Sequence, residues 1–337
     1  MLETMSDHDL VLAALRALAA GDVTAARRAA AGAGGGSLLG SALAAYLAGD
    51  HGGAVYDQPA AFAAFIRGGG NVPLYGAVAG ALAGVYAAEQ PARLLDVGCG
   101  DGTALIPALS RSSHVPAHVD LVEPSAALLK AAVTGIRAAG IPAAVRTWPG
   151  TVQEFLAELP DEASWAVVQS TFALHALPPG ERSAALAALC PHVGVLAIAE
   201  FSVPELPPGS PQHLRFLAET YERGLAEYDT DRDLVAQGFL MPVLAGQLAP
   251  GAARATWEQP SWAWQRQLEQ AGYTGAAIRP LYDYWSSPAF LLTARGRLGR
   301  LGGGPGRDRR PQRPSALVPG RAAPPAPRRS CSSSAFR

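Results

Sequence analysis

The segment Asp96-Val97-Gly98-Cys99-Gly100-Asp101-Gly102 sets three glycines at alternate positions after an apolar run that ends in an acid. Glycine has no Cβ, so such a loop lets the backbone approach a bound molecule where any other residue would collide with it. The loop is predicted to enter a helix at about Thr103, whose first N–H groups lack intrahelical partners and favour electron-rich ligand atoms. Glu123, in Leu121-Val122-Glu123-Pro124-Ser125, closes the next apolar run, 21 residues beyond Gly102. A carboxylate at that place accepts hydrogen bonds from both hydroxyls of a ribose. A glycine loop alone says that a nucleoside-like ligand meets a strand–helix turn; loop, spacing and acid together make a far more specific signal.

Three further groups bear on chemistry. Gln169-Ser170-Thr171-Phe172-Ala173-Leu174-His175 follows a fourth apolar run and puts Gln169 and Ser170 at its carboxyl end, beside the expected ligand. His175 is the titratable group expected nearest a substrate, as a general base or as a hydrogen-bonding anchor of its own loop. His175, Glu200 and His213 are the candidates for a metal site, but no pair has the tight spacing of a helical or hairpin metal motif, and no metal is expected. Cys99, Cys190 and Cys331 form no CxxC pair and imply neither a disulfide framework nor zinc. There is no Gly-x-Ser-x-Gly elbow and no phosphate-binding Walker loop.

The elements that must hold these residues follow from periodicity. Strands are expected at 93–97, 118–122, 143–147, 165–170 and 193–200, with helices at 102–112, 125–139, 151–159 and 180–190 between them. Such alternation predicts a mostly parallel sheet covered on both faces. Two more strands fit 275–281 and 288–294, the second as an antiparallel addition at the end of the sheet. Before the sheet, 9–31, 37–48, 59–67 and 73–89 read as helices. Gly76, Gly80 and Gly84 fall four apart, which predicts a face packed closely on a neighbour. After the fifth strand, residues 201–260 break the rhythm, with helices at 211–228 and 231–248. The expected organisation is a helical N-terminal cap (1–90), an α/β domain (91–296) with a helical lid insertion (201–260), and a disordered basic Pro/Gly/Arg/Ser tail (297–337).

Composition sets the outer limits. The chain has 337 residues, 49% hydrophobic and 16% charged, which suits a core-forming protein. Its net charge of -1 divides into -11 over residues 1–294 and +10 over 295–337. An acidic body offers no broad electrostatic footprint for nucleic acid. Met1 to His8 has no basic leader, and 68–88, though uncharged, is interrupted by six glycines, Asn71 and Pro73. Neither an export signal nor a membrane span is expected, so a cytoplasmic protein is.

With these motifs in place, the sequence resembles the class I S-adenosylmethionine-dependent methyltransferases, well over 91–200 and loosely over 270–294. Asp96, Gly98, Gly100 and Gly102 match that family's first motif, Glu123 its ribose-binding acid, and Val193 to Glu200 its fifth strand. The resemblance implies a Rossmann-like α/β fold with a mostly parallel seven-stranded sheet. It also implies S-adenosyl-L-methionine as methyl donor, held by Asp96, Gly98, Cys99, Gly100, Gly102, Glu123, Pro124, Gln169 and Ser170. Many members have an Asp after the third strand, near adenine; here Thr151 takes that place, with Gln153 as the alternative. The cap and insertion point to a small organic acceptor, as in specialised metabolism, methylated by direct displacement, with His175 as base where the acceptor must lose a proton. Three other readings compete: an RNA or protein methyltransferase, against whose RNA arm the acidic body weighs, a catalytically silent binding protein that releases no S-adenosylhomocysteine (SAH), and an NAD(P)-dependent oxidoreductase. Thr103 stands where the dinucleotide pattern needs a third Gly or Ala, which argues against the last. The oligomeric state is left open by the sequence.

Overall fold

The structure, a computed structural model, describes residues 5–33, 35–49, 59–251 and 256–298. The tail beyond Leu298 lies outside the described residues. Five helices come first: α1 (Asp7–Ala19), α2 (Val23–Gly32), α3 (Leu38–Ala48), α4 (Pro59–Arg67) and α5 (Asn71–Glu89). The alternating part follows as β1 (Arg93–Val97), α6 (Leu105–Arg111), β2 (His118–Val122), α7 (Ala126–Ala138), β3 (Ala144–Trp148), α8 (Val152–Ala157), β4 (Trp165–Thr171), α9 (Pro179–Leu189) and β5 (Val193–Phe201). Then come α10 (Pro211–Ala226), α11 (Arg232–Val235) and α12 (Met241–Leu248), the last two joined by a π-helical turn, Ala236–Leu240. Helix α13 (Ser261–Gln270) leads to β6 (Thr274–Tyr282) and β7 (Ala289–Arg295).

The sheet has the order β3-β2-β1-β4-β5-β7-β6. β1 to β5 run parallel, while β7 is antiparallel to both β5 and β6. The last strand is therefore not the end of the sheet, as expected, but sits inside it, and β6 forms the edge. Burial explains the exchange. Ala289 to Leu292 are all buried, as an interior strand requires, whereas β6 is exposed at Thr274, Gly275, Ala277, Arg279 and Pro280. Successive side chains of the central strands enter different cores: Leu94 packs with the helices of one face, Leu95 with those of the other. The strand order reverses between β1 and β4, and open α/β sheets bind ligands above that crevice.

The N-terminal helices and the helices of the insertion share one apolar core with the sheet. Leu15, Leu43 and Leu82 lie in the same cluster as Leu217, Leu244 and Leu121. Polar groups stitch them together as well. Glu222 of α10 accepts from Ser37 Oγ (2.7 Å) and from the N–H groups of Leu38 (2.8 Å) and Leu39 (2.9 Å), capping α3 from another element. Glu227 accepts from Gly70 N–H at 2.7 Å, beside the start of α5.

α5 is long and apolar enough, by length and composition, to cross a membrane. Leu74, Val78, Leu82 and Tyr86 are nevertheless buried at every fourth position against the core. The glycines are offset from this stripe by two residues, about 200° around the helix. They consequently face away: a Cβ built at Gly76, Gly80 or Gly84 meets nothing within 4 Å. The expected close packing of this face is absent among the described residues. Gly80→Ala should therefore stabilise the protein by about 0.5–1 kcal/mol, read as a raised Tm, because alanine adds helix propensity without a clash. A lowered Tm would mean that the face is covered.

Candidate functional site

β1 and β4 end on a cavity of about 250 Å³. Its wall is made by Tyr75 of α5, by Asp96, Gly98, Cys99, Gly100, Asp101, Thr103 and Ala104 after β1, by Glu123 after β2, and by Thr171, Phe172 and Ala173 after β4. The loop is shaped by backbone conformations that only glycine adopts readily. Gly100 has φ +56°, and a Cβ there would meet no protein atom within 4 Å; Gly98 has φ +71°, and a Cβ would come within 2.4 Å of Ala173 Cβ. The two glycines thus do different work. Gly98 lets the β4 turn close on the loop, and Gly100 leaves space in the cavity. Gly102 does not line the cavity and packs against Ile106. Helix α6 begins at Leu105, two to three residues later than expected, because Asp101 accepts from Thr103 N–H (3.0 Å) and holds a turn first.

Glu123 is preset by backbone donors: its two oxygens accept from Gly100 N–H (3.1 Å) and Ser125 N–H (2.9 Å). Asp96 is almost fully buried, and its carboxyl is pushed up to about 7, first by burial and then by the nearby Glu123, against the pull of a hydrogen bond from Gln169. Its Oδ1 has no hydrogen-bond partner among the described residues. Burial also raises the Cys99 thiol far above its ordinary range, so it stays protonated and is no nucleophile.

Several predicted site residues lie elsewhere. Gln169 is fully buried between Asp96 and Tyr86, and Ser170 donates to the Val97 carbonyl at 2.9 Å; neither lines the cavity. The strand runs one residue further than expected, so the cavity edge is Thr171 to Ala173. Thr151 is the N-cap of α8, in a reciprocal capping box with Glu154, and Gln153 donates to Glu181. Pro124 does not line the cavity. Thr171 and Phe172 are not marked by the sequence as ligand contacts. Phe172 alone carried a structural mark, φ +50°, a costly conformation for a bulky residue.

His175 stands apart from the cavity wall, paired with buried Glu200. Its Nδ1 lies 2.9 Å from Glu200 Oε2, its N–H donates to Oε1 (3.2 Å), and its carbonyl accepts from Trp257 N–H (2.7 Å). Burial pulls its pKa down, but the charge and hydrogen bond of Glu200, helped by Glu258, prevail and raise it to about 9. At neutral pH this imidazolium is a donor, contrary to the expected base. The folded pKa exceeds the ordinary 6.5, so the pair's stabilisation is complete below pH 6.5 and fades as pH rises through 9. Glu200→Gln should cost on the order of 2 kcal/mol at pH 6, and the Tm gap to the wild type should shrink by pH 10. A gap independent of pH would show that the ion pair does not exist.

Residues 94–193 match the family model described as a methyltransferase domain. Residues 94–193 thus form a methyltransferase domain. No curated protein sequence matches it. Among solved structures, the methyltransferase domain and its surroundings are similar to the mitomycin 7-O-methyltransferase (16% identity, 82% of this chain and 71% of that one, TM-score 0.46). They are also similar to magnesium protoporphyrin IX methyltransferase from Synechocystis PCC 6803 with bound SAH (16%, 70% and 93%, 0.45). A third is an O-methyltransferase family protein from Burkholderia thailandensis (14%, 72% and 61%, 0.47). The chain spans about half the length of two other matched structures, 55% and 54% of theirs. The domain's family rests on the 94–193 match together with the loop, the acid and the strand order described above.

Proposed function

We propose that this chain is an S-adenosylmethionine-dependent methyltransferase that acts on a small organic acceptor by direct displacement. One observation carries the choice of ligand. The cavity wall holds three acids, Asp96, Asp101 and Glu123, and among the described residues no Lys, Arg or His. A nucleoside bearing a sulfonium and an ammonium suits that wall. A dinucleotide would set its anionic pyrophosphate against the same carboxylates, and like charges at close range in a partly buried site cost several kcal/mol. When bound, S-adenosylmethionine supplies a methyl group made electrophilic by the sulfonium. The chain's residues have then to bind, align and exclude water.

The acceptor side is apolar. Phe172 stacks on Phe201 at 4.5 Å and meets Tyr75 edge-on at 5.9 Å, which holds its strained backbone in place. Next to it, Thr171 Oγ1 is buried without a hydrogen-bond partner among the described residues and offers a neutral contact to an acceptor heteroatom.

The deciding experiment is calorimetry of the full chain with SAH and with NAD. Binding of SAH with none of NAD is expected, and the reverse sinks the proposal. Release of SAH from S-adenosylmethionine with a panel of small phenols and alcohols then tests turnover. Binding without turnover on any acceptor would favour a silent binding protein.

A further inference from the structure

Helix α5 reaches the cavity from inside the core. The Tyr86 hydroxyl, fully buried, donates to Gln169 Oε1, and Gln169 Nε2 donates to Asp96 Oδ2 at 2.9 Å. The polarity of this chain is fixed by chemistry. A side-chain amide presents either its oxygen or its NH2 group to a neighbour. A carboxylate accepts only, so with Asp96 ionised the NH2 end must face it, as it does, and the amide oxygen must find a donor. Tyr86 is that donor, in a helix whose other buried positions are almost all aliphatic. Asp96 Oδ2 is thereby occupied, while among the described residues Oδ1 stays buried without a hydrogen-bond partner, in a residue of the cavity wall with which no described cation pairs. An orphaned acceptor of this kind is costly unless a bound molecule satisfies it.

We propose that Tyr86 and Gln169 are positioning residues for the amino-acid end of the ligand: they hold the Asp96 carboxylate so that Oδ1 receives the ligand's ammonium group. This rests on the S-adenosylmethionine reading. It makes α5, which lies before the matched segment, part of the binding site and gives it a specific task. A nucleoside that lacks the amine should be blind to both residues.

The test compares SAH with 5′-methylthioadenosine, which shares the nucleoside and the sulfur but has no amino-acid end. Calorimetry on the full chain should find SAH about five- to tenfold weaker for Tyr86→Phe and at least tenfold weaker for Gln169→Met. Binding of 5′-methylthioadenosine should stay within about twofold of the wild type, and it reports at once that each variant is folded. Should Gln169→Met fail to fold, Tyr86→Phe, which removes a single hydroxyl, carries the test alone. Equal losses on both ligands would mean that the two residues only support the fold, and an unchanged SAH affinity would mean that they do not orient Asp96. Either result overturns the proposal. If the wild type binds 5′-methylthioadenosine but SAH no more tightly, the nucleoside reading survives and this inference falls. If the wild type binds neither, both fall.

Discussion

Gly100→Val should weaken SAH binding by at least about a hundredfold and leave a folded protein. Two independent facts give this result. At φ +56° a β-branched residue is strained by about 1–2 kcal/mol, which lowers Tm modestly. The space a Cβ would enter is empty of protein within 4 Å and adjoins a cavity of only about 250 Å³. The added methyl groups therefore displace ligand, not protein. Gly98→Val is the instructive contrast. There the new Cβ would press on Ala173 at 2.4 Å, and the expected outcome is a broken β1–β4 junction, seen as loss of the cooperative melt. Calorimetry and thermal melts of the two variants separate the roles. Unchanged SAH affinity in Gly100→Val would remove the loop from the binding site.

Glu123→Ala should weaken SAH by about thirty- to a hundredfold, since hydrogen bonds to a charged acceptor contribute about 1.5–3 kcal/mol each. The backbone donors from Gly100 and Ser125 hold the carboxylate in place before ligand arrives, so little ordering is left to do on binding. The same bonds introduce a second effect: removing Glu123 unpins Gly100. Adenosine and 2′,3′-dideoxyadenosine tell the two apart. If Glu123 receives the ribose hydroxyls, the substitution should hurt adenosine and spare the dideoxy nucleoside. If it acts through the loop, both should suffer alike.

The sequence revealed what is encoded locally. β1 and β2 lie at the expected residues because each is a short, mostly apolar stretch of a parallel strand buried on both faces, interrupted only by one buried acid, Asp96 or Asp120, and by the polar residue at its start. The glycine loop and Glu123 could be read because backbone geometry and spacing along one strand–helix unit define them. What depended on a distant partner was lost. Periodicity gives a strand but not its neighbours, so β7 was set at the margin. Its run Ala289-Phe290-Leu291-Leu292 has the unbroken apolar character of an interior strand, a signal that was available. Gln169 lies two residues beyond buried Val167 and so shares its face, toward α5 rather than the ligand. Tyr86 left a fainter trace, one hydroxyl in a buried stripe of Leu74, Val78 and Leu82. His175 was found, but its charge depended on Glu200, which the sheet brings to it from another strand.

The interior place of β7 dictates an order of assembly. A ribosome releases β1 to β6 before it, yet β6 pairs only with β7, and β5 meets β7 along Val195 to Phe201. Until residues 289–295 emerge, β5 presents a long apolar edge with unsatisfied backbone groups, and β6 has nothing to pair with. Such edges invite pairing between chains. The sheet cannot be completed progressively from the first strand. It closes in one late, long-range step, and until then the open edges of neighbouring nascent chains can pair with one another.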